Sequence, residues 1–133
     1  MVAGAAAKIS LQPVADLALG RIGVVLGEID RAHDHGIRFV GVTLTPFTDT
    51  FKGLPIAGYY TPEKEKLRQA VNAWIRANKT ADGLIDFDKV VEDPSKPGYI
   101  NPAYDCGDHL HPNDAGYQAM AKAVDLNVLV PNK

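Results

Sequence analysis

The order of helix and strand patterns along these 133 residues predicts an α/β fold with a parallel sheet covered by helices. Three observations carry that expectation. Patterns alternate as helix, strand, helix, strand, helix. The first strand pattern, residues 37–44, is apolar almost without interruption, which suits a parallel strand covered on both faces. The helical segments carry apolar residues at spacings of three and four, with prolines at their starts.

The first helix is expected over about residues 13–34. Val14, Ala18, Ile22, Val25, Ile29 and Ala32 form one apolar stripe. Pro13 suits the first turn, and Gly36 suits the left-handed residue that ends a helix. Gly20, Gly23 and Gly27 each cost roughly 1 kcal/mol against alanine in a helix interior, so they point to close packing on a neighbour. His33 and His35 near the helix end read as compensation of the helix dipole. Residues 45–61 form a loop punctuated by Pro46, Gly53, Pro55 and Gly58. Its phenylalanines and tyrosines either line a cleft or cover apolar helix surface.

Pro62 opens the second helix, with Glu63 and Glu65 in its first turn, where the dipole favours acids. Leu67, Ala70, Val71, Trp74 and Ile75 are its expected buried stripe. After the Asp82 and Gly83 turn, residues 84–88 read as a short strand. Residues 93–107 are loop. The last helix is expected over about 113–126, capped by Asn113 or Asp114, with Tyr117, Met120, Ala121 and Val124 inward.

The chain length fits a single domain, 1–133, with a modest core. A formal net charge of −2 gives no reason to expect nucleic acid or an anionic membrane as partner. The lone cysteine, Cys106, excludes an internal disulfide. The first eight residues lack a basic segment and a long apolar run, so no secretory signal is read and a cytoplasmic location is expected. No apolar run approaches a membrane span, and no repeat stands out.

The stretch richest in chemistry is Asp108, His109, Leu110, His111, Pro112, Asn113 and Asp114. It places a carboxylate three residues before an imidazole, in a loop that feeds a helix. A hydrolytic histidine needs such a partner on its far ring nitrogen, to fix the tautomer and stabilise the imidazolium that forms. Asp108 and His111 are therefore the candidate catalytic residues. The bland alternative is a loop that merely caps the last helix. Cys106, Asp108, His109 and His111 also suggest a metal cluster, because Cys-x-x-His is a ligand spacing. No fourth ligand is evident, so neither a metal nor another cofactor is expected. Cys106 as a nucleophile needs a thiolate within hydrogen-bond reach of His111, a geometry that one short loop rarely provides.

With these residues in hand, the chain resembles the C-terminal half of an SGNH (GDSL-type) hydrolase, a superfamily of serine esterases, lipases and carbohydrate acetylesterases. The blocks that carry the likeness run in order. They are residues 32–37 leading to 41–47, then 71–76, then 85–88. The strongest, 104–117, reads Tyr-Asp-Cys-Gly-Asp-His-Leu-His-Pro-Asn-Asp-Ala-Gly-Tyr. The likeness covers roughly residues 20–133. It implies a partial flavodoxin-like three-layer α/β/α sandwich with a parallel sheet, its N-terminal strands missing. It also implies hydrolysis of small acyl esters, with His111 as general base and Asp108 as the acid that orients it. The family's Gly-Asp-Ser nucleophile block and the glycine and asparagine blocks of its oxyanion hole find no match. The chain holds two serines, Ser10 and Ser95, neither preceded by Gly-Asp. Ser10 is the candidate far enough away to be delivered by folding. The alternative is a remnant without turnover, built for assembly.

The resemblance has a consequence for assembly. With the neighbouring strand gone, residues 37–44 would form an open sheet edge, a template for another chain. A homodimer, or a higher homo-oligomer, is expected, its strands pairing antiparallel across a two-fold axis.

Overall fold

The computed structural model describes residues 12–54 and 56–130, with side chains from residue 21 onward. Among the described residues the order is α1 (Gln12–Asp34), β1 (Val40–Val42), α2 (Pro62–Ala77), β2 (Gly83–Ile85), α3 (Phe87–Val91), α4 (Asp114–Ala123) and α5 (Leu126–Leu129). β1 and β2 pair in parallel, Val40 opposite Gly83 and Val42 opposite Ile85. This is a partial α/β fold, as the alternation predicted. No helix among the described residues is long and apolar enough to cross a membrane.

α1 ends as its sequence predicts. Gly36 adopts φ 67°. The Gly36 N–H donates to the His33 carbonyl and the Ile37 N–H to the Ala32 carbonyl, which closes the helix in a Schellman motif. Ile29 is buried from its stripe, while Ile22, Val25 and Ala32 are half-buried. Val14 and Ala18 lie outside the described side chains. The glycine reading is corrected: a Cβ at Gly23 or Gly27 would meet nothing within 4 Å, so neither admits a close neighbour. His33 does more than offset a dipole. Its Nε2 lies 2.9 Å from Asp82 Oδ2, which also accepts the Phe39 N–H at 2.7 Å. The Phe39 N–H first and His33 second hold the Asp82 carboxyl below the usual range.

Both strands are shorter than expected, because side chains take over the backbone pairing at their ends. After β1, Leu44 donates its N–H to Asn72 Oδ1 at 2.8 Å and accepts Asn72 Nδ2 at 2.8 Å. The Asn72 amide thus replaces a strand neighbour, and its side chain is fully buried. After β2, Asp86 caps α3 by accepting the Lys89 N–H, so residues 86–88 turn into helix instead of extending the strand. The last helix breaks at Val124, and a short α5 follows.

The expected stripe of α2 is a further correction. The residues it buries are Glu65, Arg68 and Asn72. Leu67, Val71, Trp74 and Ile75 are half-buried and Ala70 is exposed. Arg68 Nε and Nη2 reach the two Glu65 carboxylate oxygens at 2.8 and 2.7 Å, while Nη1 meets the Leu44 carbonyl at 2.9 Å and Asp88 Oδ1. Arg76 bridges Asp86 and Asp88 at 2.7 to 2.8 Å. Burial penalises the Arg68 cation, yet its two carboxylates outweigh that and raise its pKa. The Thr43 hydroxyl joins the network, donating to Asp86 Oδ1 and accepting the Asp88 N–H, each at 2.9 Å. The core therefore ties the end of β1 to α2 and α3 by charge and hydrogen bonds. Its buried apolar members among the described residues are Ile29, Ile85, Val91 and Ile100.

Candidate active site

The loop between α3 and α4 folds on itself before α4 begins. Asp105 and Pro112 form an isolated antiparallel bridge. The Cys106 N–H donates to the His111 carbonyl at 3.1 Å and the Asn113 N–H to the Tyr104 carbonyl at 2.7 Å. Residues 107–110 close the turn, with Gly107 at φ 106° and His109 at φ 60°. A left-handed conformation costs a non-glycine residue roughly 1–2 kcal/mol, so this turn is held by its surroundings.

Asn113 is the clamp. Its Nδ2 donates to the Ala103 and Asp105 carbonyls at 3.1 and 3.2 Å, while its Oδ1 accepts the Gly116 N–H at 3.0 Å and caps α4. Gly116 is buried, and a Cβ there would come within 2.8 Å of the Tyr104 carbonyl oxygen and of Pro112 Cβ. The first turn of α4 is thus seated directly against the site loop. The helix presents Gly116 to that contact, whereas Tyr117, expected inward, is 53% exposed and Ala121 is exposed.

Asp108 and His111 meet inside the turn. Asp108 Oδ2 lies 2.6 Å from His111 Nδ1, and Oδ1 accepts the N–H groups of Leu110 at 2.9 Å and His111 at 2.8 Å. Burial works against the ionised Asp108. The His111 ring, the His111 and Leu110 N–H groups and the Cys106 thiol together overcome it and hold the carboxyl well below the usual range. An ionised Asp108 can only accept, so it selects the His111 tautomer with hydrogen on Nδ1. Nε2 is then a lone pair, and it has no hydrogen-bond partner among the described residues. The His111 side chain is 59% exposed, so this lone pair is open to a reacting group.

A second pair went unread in the sequence. His109 Nδ1 lies 2.5 Å from Asp105 Oδ2, and the Asp105 side chain is only 9% exposed. Asp105 Oδ1 also accepts the N–H groups of Gly107 and His109 at 2.8 and 3.1 Å. His109 and Asp105 border a cleft of about 300 Å³ with Lys52, Lys96 and Tyr99. An Asp-x-x-x-His spacing overlapping the Asp-x-x-His spacing was the available signal. His109 therefore pairs with Asp105 and leaves the suggested metal cluster, whereas Cys106, Asp108 and His111 bring one ligand atom each to within 4.8 Å of one another. No hydrogen bond joins the thiol to the His111 ring.

The loop after β1 backs this site. The Phe51 N–H donates to the Asp108 carbonyl at 3.0 Å, and the Thr50 hydroxyl lies between the Phe47 carbonyl at 2.5 Å and the His109 carbonyl at 3.0 Å, which share its one proton. Phe51 and Tyr59 stack edge to face, with ring centroids 5.2 Å apart. The candidate pair therefore sits against the segment leaving the carboxyl end of a parallel strand, where α/β folds bind ligands. Ser10 lies outside the described residues. Ser95 is tied into a turn, its hydroxyl 2.7 Å from Asp93 Oδ1.

The family model of GDSL-like lipase/acylhydrolases matches residues 9–124. The chain belongs to the GDSL-like lipase/acylhydrolase family. The likeness read from the 104–117 block is thereby shown. Among solved structures, the chain is similar to a Bacteroides fragilis protein described as a candidate acylhydrolase, at 22% identity and a TM-score of 0.56. That likeness concerns the fold. It covers 80% of this chain and 49% of the other, so this GDSL-family chain spans about half the length of that structure. No curated protein matches the chain.

Proposed function

We propose that this chain carries the acid–base pair of a carboxylic ester hydrolase acting on small acyl esters. His111 is the general base and Asp108 its positioning carboxylate. The observation that carries the reading is the 2.6 Å contact between Asp108 Oδ2 and His111 Nδ1, with Asp108 pinned by two backbone N–H groups. In this reading Nε2 takes the proton of a serine hydroxyl as that oxygen attacks the ester carbonyl. The imidazolium, stabilised by Asp108, returns the proton to the leaving alcohol, and His111 then activates water to release the acid. Ser10 is the nucleophile candidate within the chain.

The test compares hydrolysis of a short-chain p-nitrophenyl ester by the wild type, His111→Ala and Ser10→Ala. Slow turnover is expected, falling to the background rate in His111→Ala. Turnover that survives His111→Ala overturns the assignment of the base, and turnover that survives Ser10→Ala removes that serine. A second reading, a family member without turnover, is favoured by one observation: the described serine, Ser95, bonds Asp93 and not His111. A wild type no faster than His111→Ala supports it.

Self-association is the companion proposal. β1 pairs with β2 on one side, and no strand among the described residues pairs with its other edge. Ile37 and Val42 along this segment are 61% and 40% exposed, and the edge ends at Leu44, whose backbone groups Asn72 already takes. We propose that two copies pair through this edge, burying a total of about 2,000 Å² or more, as obligate dimers do. Sedimentation at low micromolar concentration should show a dimer. A stable folded monomer of 14.3 kDa would exclude it.

A further inference from the structure

The three atoms that the site loop brings together are chemically a metal-ligand set. Cys106 sits at one strand of the Asp105–Pro112 bridge and His111 at the other, joined by the Cys106 N–H to His111 carbonyl bond. Asp108 lies in the turn between them. The bridge therefore fixes the spacing of a thiol, a carboxylate and an imidazole, whose ligand atoms fall within 4.8 Å of one another. Cys106 and His111 are exposed and Asp108 half-buried, which leaves an approach for an ion from solvent. We propose that this trio binds a thiophilic divalent cation, zinc or cadmium, and that the ion switches off the His111 base.

The donor set selects the ion. Thiolate and imidazole suit zinc and its softer relatives, while magnesium and calcium require oxygen donors. A thiolate, a carboxylate and a neutral imidazole neutralise a dication, and three protein ligands leave the fourth tetrahedral position to water. Binding releases the thiol proton to solvent. The ion takes the place of the proton between His111 Nδ1 and Asp108 Oδ2. At 2.6 Å that pair is too close to share an ion. Zinc–ligand bonds of about 2.0–2.1 Å at tetrahedral angles set two such atoms roughly 3.3 Å apart. The His111 side chain is 59% exposed, so the ring can swing outward by that amount, and the exposed Cys106 thiol can turn in to close the remaining gap, which is at most 4.8 Å.

Coordination through Nδ1 removes the base, because it drives the ring proton to Nε2, which then can only donate. The consequence for turnover rests on the function proposed above, whereas the binding site rests on the clustering of the three donor groups.

Binding is measured first without any assay of turnover. The chain, free of chelator and affinity tag, is titrated with Cd²⁺ while the ultraviolet thiolate-to-cadmium charge-transfer band is followed. Cys106 is the one thiol, so the band has a single source. The band should saturate at one equivalent and be displaced by Zn²⁺ but not by Mg²⁺. It should vanish in Cys106→Ser. Asp108→Asn and His111→Ala should each weaken binding at least about tenfold, since even outer partners of a metal site cost that much. Zn²⁺ should also slow alkylation of Cys106 by iodoacetamide in the wild type, a readout that needs no variant to fold. Absence of the band, or unchanged affinity in His111→Ala, overturns the site. Where the wild type hydrolyses ester, Zn²⁺ should stop it. Turnover undiminished at saturating Zn²⁺ overturns the switch, while a chain without turnover fails the function and leaves the titration to decide the site.

Discussion

The two faces of α2 are covered in opposite ways. Its polar face, Glu65, Arg68 and Asn72, is buried against the end of β1 and α3. Its apolar face, Leu67, Val71 and Trp74, opens into a groove of about 410 Å³ shared with Ile22 and Val25 of α1. A helix ordinarily buries its apolar side. The inversion teaches that the charged network carries the local structure, while the apolar groove stays open among the described residues. A second groove shares Val25, Val71 and Trp74 with the first and runs onto Phe39 and onto Val40 and Val42 of β1.

The comparison breaks most sharply at Arg68. Arg68→Met keeps volume but leaves Glu65 without its buried counter-charge and Asp88 with Arg76 alone. A loss of about 3–5 kcal/mol is expected in urea unfolding, as for a buried pair broken on one side. A loss under 1 kcal/mol would mean that the network is not what supports this face.

Acid should loosen that network at Asp86 and, separately, the site turn at Asp108. Arg76 holds the Asp86 carboxyl below the ordinary range, and the His111 ring and backbone N–H groups do the same for Asp108 against the effect of burial. A depressed folded pKa contributes stability that is present above the unfolded value of about 3.9 and lost as pH falls through the folded one. The urea midpoint should therefore stay flat from neutrality to about pH 5 and fall below about pH 4. Asp86→Asn should shrink that fall. A midpoint already dropping between pH 7 and 5 would point to other groups.

The apolar face should respond less. Trp74 is half-buried, so Trp74→Ala should cost about 1–2 kcal/mol in the monomer, below the roughly 3–5 kcal/mol of a fully buried aromatic. If two copies meet over this groove, the cost grows with protein concentration, and a concentration-independent cost would separate the groove from the dimer. The smallest effect is at Gly27. Gly27→Ala meets no atom within 4 Å and should stabilise by about 0.5–1 kcal/mol through helix propensity. A loss of stability there would reveal a close neighbour on α1.

What the sequence determined by itself is what depends on near neighbours in the chain. The Schellman end of α1 at Gly36, the Pro62 start of α2 and the Asn113 cap of α4 each need only a few consecutive residues. The Asp108–His111 contact is of the same kind, since three residues and one turn bring carboxylate to ring. The ordered blocks likewise placed the chain in its family. Tertiary structure alone decided the rest. That Asn72 would pair with Leu44 and stop β1 depends on a partner 28 residues away. That Arg68 would be buried depends on Asp88, 20 residues on, because a charge enters a core only where its counter-charge meets it. A hydrophobic stripe in sequence announces that a helix face can be buried, but burial also needs an opposing surface. For Leu67, Val71 and Trp74 the described fold offers only an open groove, so the charged side of the helix is the one that faces inward.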